Sequence, residues 1–404
     1  MLTVEQAIEG ILNSVTQSTS ELIGLGESPG RVLADDLTTP HDSPPFDKSM
    51  MDGFAVGSVD GNADAQTLQV LETITAGTVP GKTVHTGTAS RIMTGAPIPS
   101  GADCVVPIES VDFDEARPDL VTVRADDIAA DKNVLRQGFA AQAGEPLMGK
   151  GTRLEPQHIA VLAEFGVADV SVFRTPRVAV LATGDELLPI DQPLTPGKIR
   201  NSNEPMLAAQ IARAGAIPVP LGVAKDRQEE LRKHITAGLE CDFLIMSGGV
   251  SAGTLDLVPS ELQAAGVRQV FHKIQMKPGK PLWFGQLESA DRSCWVFGLP
   301  GNPVSSMVCF EVFVRTALRK FTGVPLPEPQ YLNAALTEPV TVKGDRPTYF
   351  PCQLEMTDSG YLATPVPWGG SADLRSTADA NGVCRLASSP EPYKAGDSIL
   401  TLAW

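Results

Sequence analysis

Residues 243–256 read Phe-Leu-Ile-Met-Ser-Gly-Gly-Val-Ser-Ala-Gly-Thr-Leu-Asp. An apolar run that halts at Ser247-Gly248-Gly249, with Gly253 and Asp256 beyond it, calls for a buried strand ending in a glycine turn. Such a turn exposes backbone N–H groups, and a following helix adds the positive end of its dipole, so the segment is suited to hold an anion. Glycine turns also serve as plain connectors, so this one gains meaning from its neighbours.

Three further segments supply them. Residues 177–183 form a second apolar run that enters Gly184-Asp185-Glu186. Carboxylates at a strand's C-terminal end suit a hydrated Mg²⁺, which takes one or two of them plus phosphate oxygens; a helix N-cap pair is the structural alternative. Residues 272–281, His-Lys-Ile-Gln-Met-Lys-Pro-Gly-Lys-Pro, alternate as a strand does. That predicts Lys273, Gln275 and Lys277 on one face and Ile274 and Met276 on the other. Residues 295–303 read as a strand, a tight turn and a Pro303 suited to the first turn of a helix over 304–320. Two anion turns, one acidic strand end and one lysine strand are expected at one sheet edge.

A chain of 404 residues exceeds one ordinary core, so several domains are expected. A net charge of −16 argues against nucleic acid or an anionic membrane surface as partner, and no apolar run reaches membrane length. A phosphate-bearing ligand would be repelled by that field unless Lys273, Lys277 and Lys280 reverse it locally. The six cysteines form no CxxC pair and the five histidines are scattered, which favours free thiols over disulfides or zinc. The first residues lack the basic and apolar stretches of a secretory leader, so a cytoplasmic location is expected. Thr3 and Gln6 instead make a capping box for a helix with Ala7, Ile8, Ile11 and Leu12 on its apolar face.

The expected fold class is multidomain α/β plus β. Residues 1–44 and 143–174, with a helix over 155–165 and a strand near Val170, form a discontinuous N-terminal linker domain. Residues 45–142 alternate short β-type runs with turns and form a small β-rich domain. Residues 175–323 alternate strands with helices at 204–214, 227–239 and 257–265, the pattern of a three-layer α/β domain. After the Pro-rich stretch 325–329, strand-like runs at 340–342, 349–356, 382–386 and 398–404 predict a C-terminal β-barrel over 324–404.

Six motifs then stand in order: Met-Asp-Gly-Phe-Ala-Val at 51–56, Arg-Ile-Met-Thr-Gly-Ala-Pro at 91–97, Thr-Gly-Asp-Glu-Leu at 183–187, Ser-Gly-Gly-Val-Ser-Ala-Gly at 247–253, Lys-Pro-Gly-Lys-Pro at 277–281 and Leu-Pro-Gly-Asn-Pro at 299–303. In these the chain resembles the molybdopterin molybdenumtransferases, whose eukaryotic relative is the C-terminal region of gephyrin. The resemblance implies a four-part elongated homodimer that takes molybdate and adenylylated molybdopterin, releases AMP and leaves the metal on the dithiolene sulfurs. It implies that Asp52, Glu186 and Asp256 handle a metal ion or activate water, with Glu186 and Asp256 as Mg²⁺ ligands. Thr94 would hydrogen-bond an oxyanion, and Lys273, Lys277 and Lys280 would hold phosphate or molybdate. Ser247, Gly248, Gly249, Ser251 and Gly253 would cradle the pterin phosphate, and Pro300, Gly301 and Pro303 would shape the pterin-side turn. As turn formers or caps, Asp52, Thr94 and Asp256 also have purely structural readings. A molybdopterin adenylyltransferase is an implied partner.

The chain departs from the family's pattern at Leu135, where an arginine is usual, at Ala140, where an acid is usual, and at Thr254, where a glutamate is usual. Weakened molybdate binding is the expectation. It brings in a second reading, a gephyrin-like scaffold with Tyr349 of Arg346-Pro-Thr-Tyr anchoring the tail of a tubulin-like division protein or a membrane receptor. A tyrosine in the barrel core is the structural alternative.

Overall fold

The computed structural model describes residues 1–60, 64–249, 257–289 and 292–404. The chain divides into two compact units, one of residues 36–149 and 160–168, the other of residues 1–35, 150–159 and 169–404.

The smaller unit is built on a six-stranded mixed sheet in the order Cys104–Pro107, Gly53–Val56, Thr88–Ile92, Ala65–Ile74, Leu120–Arg124, Asp112–Phe113. Period-2 alternation puts Phe54, Val56, Leu68, Val121 and Val123 on one buried face and Ala55, Ile74, Ile92 and Val105 on the other. Leu135 pairs with Lys48 in a short antiparallel ladder. The neighbouring Arg136 pairs with Asp47 and Asp131. Partial burial acts to raise the Asp47 carboxyl, but the Gln137 N–H at 2.8 Å and the Arg136 guanidinium hold it below the usual range.

In the larger unit six strands form one sheet: β1 Arg177–Thr183, β2 Ile217–Ala224, β3 Phe243–Ser247, β4 Arg268–His272, β5 Trp283–Glu288 and β6 Ser293–Leu299. Their order is β2-β1-β3-β6-β5-β4. The pairs β1–β2, β1–β3 and β3–β6 are parallel, and the two joining β4 and β5 are antiparallel. The central strands are apolar throughout because both faces are covered. Val178, Val180, Phe243, Ile245, Trp295 and Phe297 bury on one face, Ala179, Leu181, Leu244, Met246 and Val296 on the other. Each fully buried phenylalanine there contributes roughly 1.5–3 kcal/mol.

Helix α1 Val4–Ser14 carries the expected capping box, with Gln6 N donating to Thr3 Oγ1 at 3.2 Å and Thr3 N to Gln6 Oε1 at 2.9 Å. The expected helices appear as Pro156–Glu164, α2 Asn203–Arg213, α3 Gln228–Gly238 and α4 Val258–Ala264. The expected helix over 304–320 begins with Pro303 as α5 Pro303–Cys309, widens to a π turn at Phe310–Val314 and continues as α6 Arg315–Phe321. The π turn carries Glu311, whose side chain is 1% exposed and accepts from Gln210 Nε2 at 2.6 Å while pairing with Arg213 at 2.5 Å and Arg315 at 2.7 Å.

The C-terminal region closes as a five-stranded barrel in the order β7 Leu332–Leu336, β9 Gly360–Pro365, β8 Thr348–Thr357, β10 Gly382–Leu386, β11 Ser398–Ala403. Residues 340–342 are not one of its strands, since only Val340 bridges, to Tyr393. Tyr349 is wholly buried, its hydroxyl 3.1 Å from that of Tyr331. The side chain has no face to offer a peptide, which corrects its reading as an anchor. The strand expected over 272–280 ends at His272. Lys273 turns to a φ of 70°, and Ile274 and Lys277 make only single bridges, to Leu2 and Thr348.

All six cysteines are buried and unpaired. Burial pushes the Cys294 and Cys309 thiols far up, so neither serves as a nucleophile. Among the described residues no helix is long and apolar enough to cross a membrane.

Candidate functional site

From β1 the chain passes through α2 to β2 on one side, then returns through α3 to β3 on the other side of β1. Ligands of open α/β sheets sit in the crevice that such a reversal opens beyond the strands' carboxyl ends. A cavity of about 640 Å³ lies there, lined by Thr183, Gly184 and Glu186 after β1, by Ser247, Gly248 and Gly249 at the end of β3, and by Pro300, Gly301, Asn302 and Pro303 after β6. Its size suits a small organic ligand.

The glycine turn is sterically required. Gly248 has a φ of 97°, and an added Cβ would stand 2.6 Å from the Thr183 carbonyl oxygen; at Gly249, φ 65°, it would stand 2.6 Å from Val258 Cγ2. Gly248→Ala is therefore expected to cost about 1–3 kcal/mol in backbone strain alone. Thermal unfolding should register that loss, and ligand affinity should fall with it. The Gly248 N–H already donates to Leu299 O at 3.2 Å, so that group is not a phosphate donor. Ser251, Gly253 and Asp256, part of the expected cradle and metal set, and Thr254, where the family usually has a glutamate, lie outside the described residues.

Asn203, at the start of α2, ties two strand ends together, its Nδ2 donating to Ser247 Oγ at 2.6 Å and to Gly301 O at 2.7 Å. Its Oδ1, like Thr183 Oγ1, is buried with no hydrogen-bond partner among the described residues. Two orphaned polar atoms at a cavity wall are groups that a ligand would satisfy. Asn201 is fixed in turn by Glu204, which also accepts from the Gly222 N–H at 3.0 Å. The Glu186 carboxylate folds close to Gly184, where an added Cβ would be 2.5 Å from Oε2. Asp226, on the loop after β2, is the cavity's second carboxylate. No cluster of three metal-ligating side chains occurs among the described residues.

A second cavity of about 560 Å³ adjoins the first and shares Pro281, Pro300 and Asn302 with it. Four cations line it: Lys277 and Lys280 from the Lys-Pro-Gly-Lys-Pro loop, Lys343 and Arg346 from the chain leading into β8. Lys277 Nζ is 3.4 Å from Lys343 O, and Arg346 donates to Met276 O at 2.9 Å. Thr348 and Trp368, also in the lining, carry a buried Oγ1 and Nε1 with no partner among the described residues. Trp368 is steadied by a T-shaped contact with Phe350, ring centroids 5.3 Å apart. Lys273 lines neither cavity, because its left-handed backbone breaks the alternation that would have aimed it beside Lys277.

Asp52 and Thr94 lie in the smaller unit. The Thr94 N–H and hydroxyl both donate to Asp52 Oδ1 at 2.7 Å, and these bonds, the backbone one first, hold the Asp52 carboxyl below its ordinary range. The hydroxyl proton expected to serve an oxyanion is thus engaged by Asp52. Asn201, Asn203, Asp226, Lys343 and Trp368 carried no motif; only the loops' convergence reveals them.

Three family profiles tile the chain: the MoeA N-terminal region (domain I and II) over residues 2–166, a probable molybdopterin binding domain over 179–320, and the MoeA C-terminal region (domain IV) over 333–404. The molybdopterin molybdenumtransferase of Bacillus subtilis is 36% identical, covering 99% of this chain and 93% of its own. That of Staphylococcus aureus strain COL is 34% identical, covering 98% and 94%. The crystal structure of a molybdopterin biosynthesis MoeA protein from Pyrococcus horikosii matches with a TM-score of 0.85 and 29% identity over 100% of this chain and 99% of that one. By identity along its whole length and by fold, the chain belongs to the MoeA family of molybdopterin molybdenumtransferases.

Proposed function

We propose that this chain is a molybdopterin molybdenumtransferase that takes adenylylated molybdopterin and molybdate, breaks the phosphoanhydride to release AMP, and leaves molybdenum on the dithiolene sulfurs. The observation that carries the reading is the pair of adjoining cavities, one walled by carboxylates and orphaned amide and hydroxyl groups, the other by four cations. In a chain of net charge −16, four cations on one wall make a local field able to hold a tetrahedral dianion. Asn203 and Thr183 orient the pterin side, and Asn302, donating to Ser371 Oγ at 2.8 Å, fixes the shared wall. Lys277, Lys280, Lys343 and Arg346 hold molybdate.

A Mg²⁺ ion fits the first cavity through Glu186 and Asp226, since this ion needs few protein carboxylates when phosphate oxygens complete its shell. When bound it neutralises phosphoanhydride oxygens. The chain's own contribution is positioning and fixed charge. The reading includes a homodimer in the cytoplasm, with domains at 1–44 and 143–174, 45–142, 175–323 and 324–404. The scaffold alternative loses its anchor with the burial of Tyr349.

The test is AMP release from adenylylated molybdopterin by the purified chain, which should depend on molybdate and Mg²⁺. No AMP under those conditions would reject the reading. Lys277→Gln is expected to weaken molybdate binding about tenfold, or 1.4 kcal/mol, in calorimetric titration. Unchanged affinity would remove Lys277 from the molybdate site.

A further inference from the structure

Away from both cavities, five arginines meet around a pocket of about 80 Å³: Arg31, Arg153, Arg213 at the end of α2, and Arg315 and Arg319 of α6. That volume holds two or three waters, or one tetrahedral oxyanion. Among the described residues, the one buried carboxylate paired there is Glu311, shared by Arg213 and Arg315. Arg31 pairs with Glu21 and Arg153 with Glu155, acids 42% and 50% exposed. Arg319 gives one donor to the Glu328 carbonyl at 3.2 Å, and Arg315 keeps a buried Nε with no partner among the described residues. Burial first, then the neighbouring Arg315, works against the charge on Arg319; for Arg315, too, burial is the largest effect, partly offset by Glu311.

Guanidinium groups stay protonated at neutral pH, so crowding five of them around so small a space is costly unless something negative joins them. Their planar forks match the oxygens of a tetrahedral anion in pairs, and an anion there would supply an acceptor for the orphaned Nε. We propose that the pocket lined by Arg31, Arg153, Arg213, Arg315 and Arg319 is a binding site for a small tetrahedral oxyanion of the sulfate, phosphate or molybdate type, distinct from the two cavities described above. Bound there, the anion ties the segments that carry Arg31 and Arg153 to α2 and α6, stabilising the larger unit.

The test uses the full chain and three probes, sodium sulfate, phosphate and molybdate, titrated calorimetrically at constant ionic strength. Arg153→Gln and Arg319→Gln are the variants, since both leave the buried Glu311 pairs in place and so leave folding intact. The expected result is a saturable site, separate from the molybdate site at Lys277, for at least one of the three anions that weakens tenfold or more in both variants. In crystals soaked with selenate, an anomalous peak should lie between Arg315 and Arg319. The tightest of the three anions identifies the source: molybdate would make the pocket a second site for the substrate, whereas sulfate or phosphate would make it a site for a general cellular anion. No saturable heat with any anion, affinities unchanged in both variants, or a selenate peak confined to the Lys277 cavity would overturn the proposal and leave the arginines as links between elements.

Discussion

Glu186→Gln is expected to lower AMP release by about 100- to 1,000-fold while the protein stays folded, the scale of losing one fixed electrostatic group at a reacting centre. The substitution keeps the side chain's shape and deletes only its charge. Because Glu186 follows β1 at the wall of the larger cavity, the change should reach the phosphoanhydride without disturbing the sheet. The loss should appear in the rate at saturating substrate and be accompanied by weaker Mg²⁺ dependence. Turnover equal to wild type would assign the carboxylate to Asp226 or to the turn alone.

Glu311→Ala is expected to destabilise the chain by about 3–5 kcal/mol, since it strands Arg213, Arg315 and Gln210 around a buried gap. Chemical denaturation should show the lowered midpoint. Glu311→Gln, which keeps the volume and one acceptor, should lose less. Because Glu311 lines neither of the two adjoining cavities, AMP release per folded molecule should survive both changes. A change below about 1 kcal/mol for Glu311→Ala would mean the π turn does not depend on this ionic cluster.

The α/β core was legible because its central strands are covered on both faces and so read as apolar runs stopped by glycine, as at Met246-Ser247-Gly248. The capping box of α1 was legible for a local reason, since both partners lie within one turn. Alternation misled at 273–277. Ile274 and Met276 are buried and Gln275 is exposed, but the stretch runs as a loop between Leu2 and Thr348, so burial on alternate residues does not mark a strand. Val340-Thr-Val failed similarly, its two valines packing inward with a single bridge in place of a ladder. Tyr349 carried no signal that separates anchor from core; the deciding partner, Tyr331, belongs to a different part of the barrel region. In the site, the motifs located the three strand ends but not Asn203, whose bonds run to residues 44 and 98 positions away. Nor did they show Lys343 and Arg346 beside Lys277, a pairing made by the barrel docking against the Lys-Pro-Gly-Lys-Pro loop.

The central claim is that this chain completes a cofactor by inserting molybdenum, and complementation measures it most directly. The gene is expressed in a strain lacking its own molybdenumtransferase, and a molybdoenzyme of that strain is assayed. Restored molybdoenzyme activity with the wild-type chain, and none with Glu186→Gln at equal protein level, is the predicted result. No restoration by a well-expressed, folded wild-type chain would contradict the account.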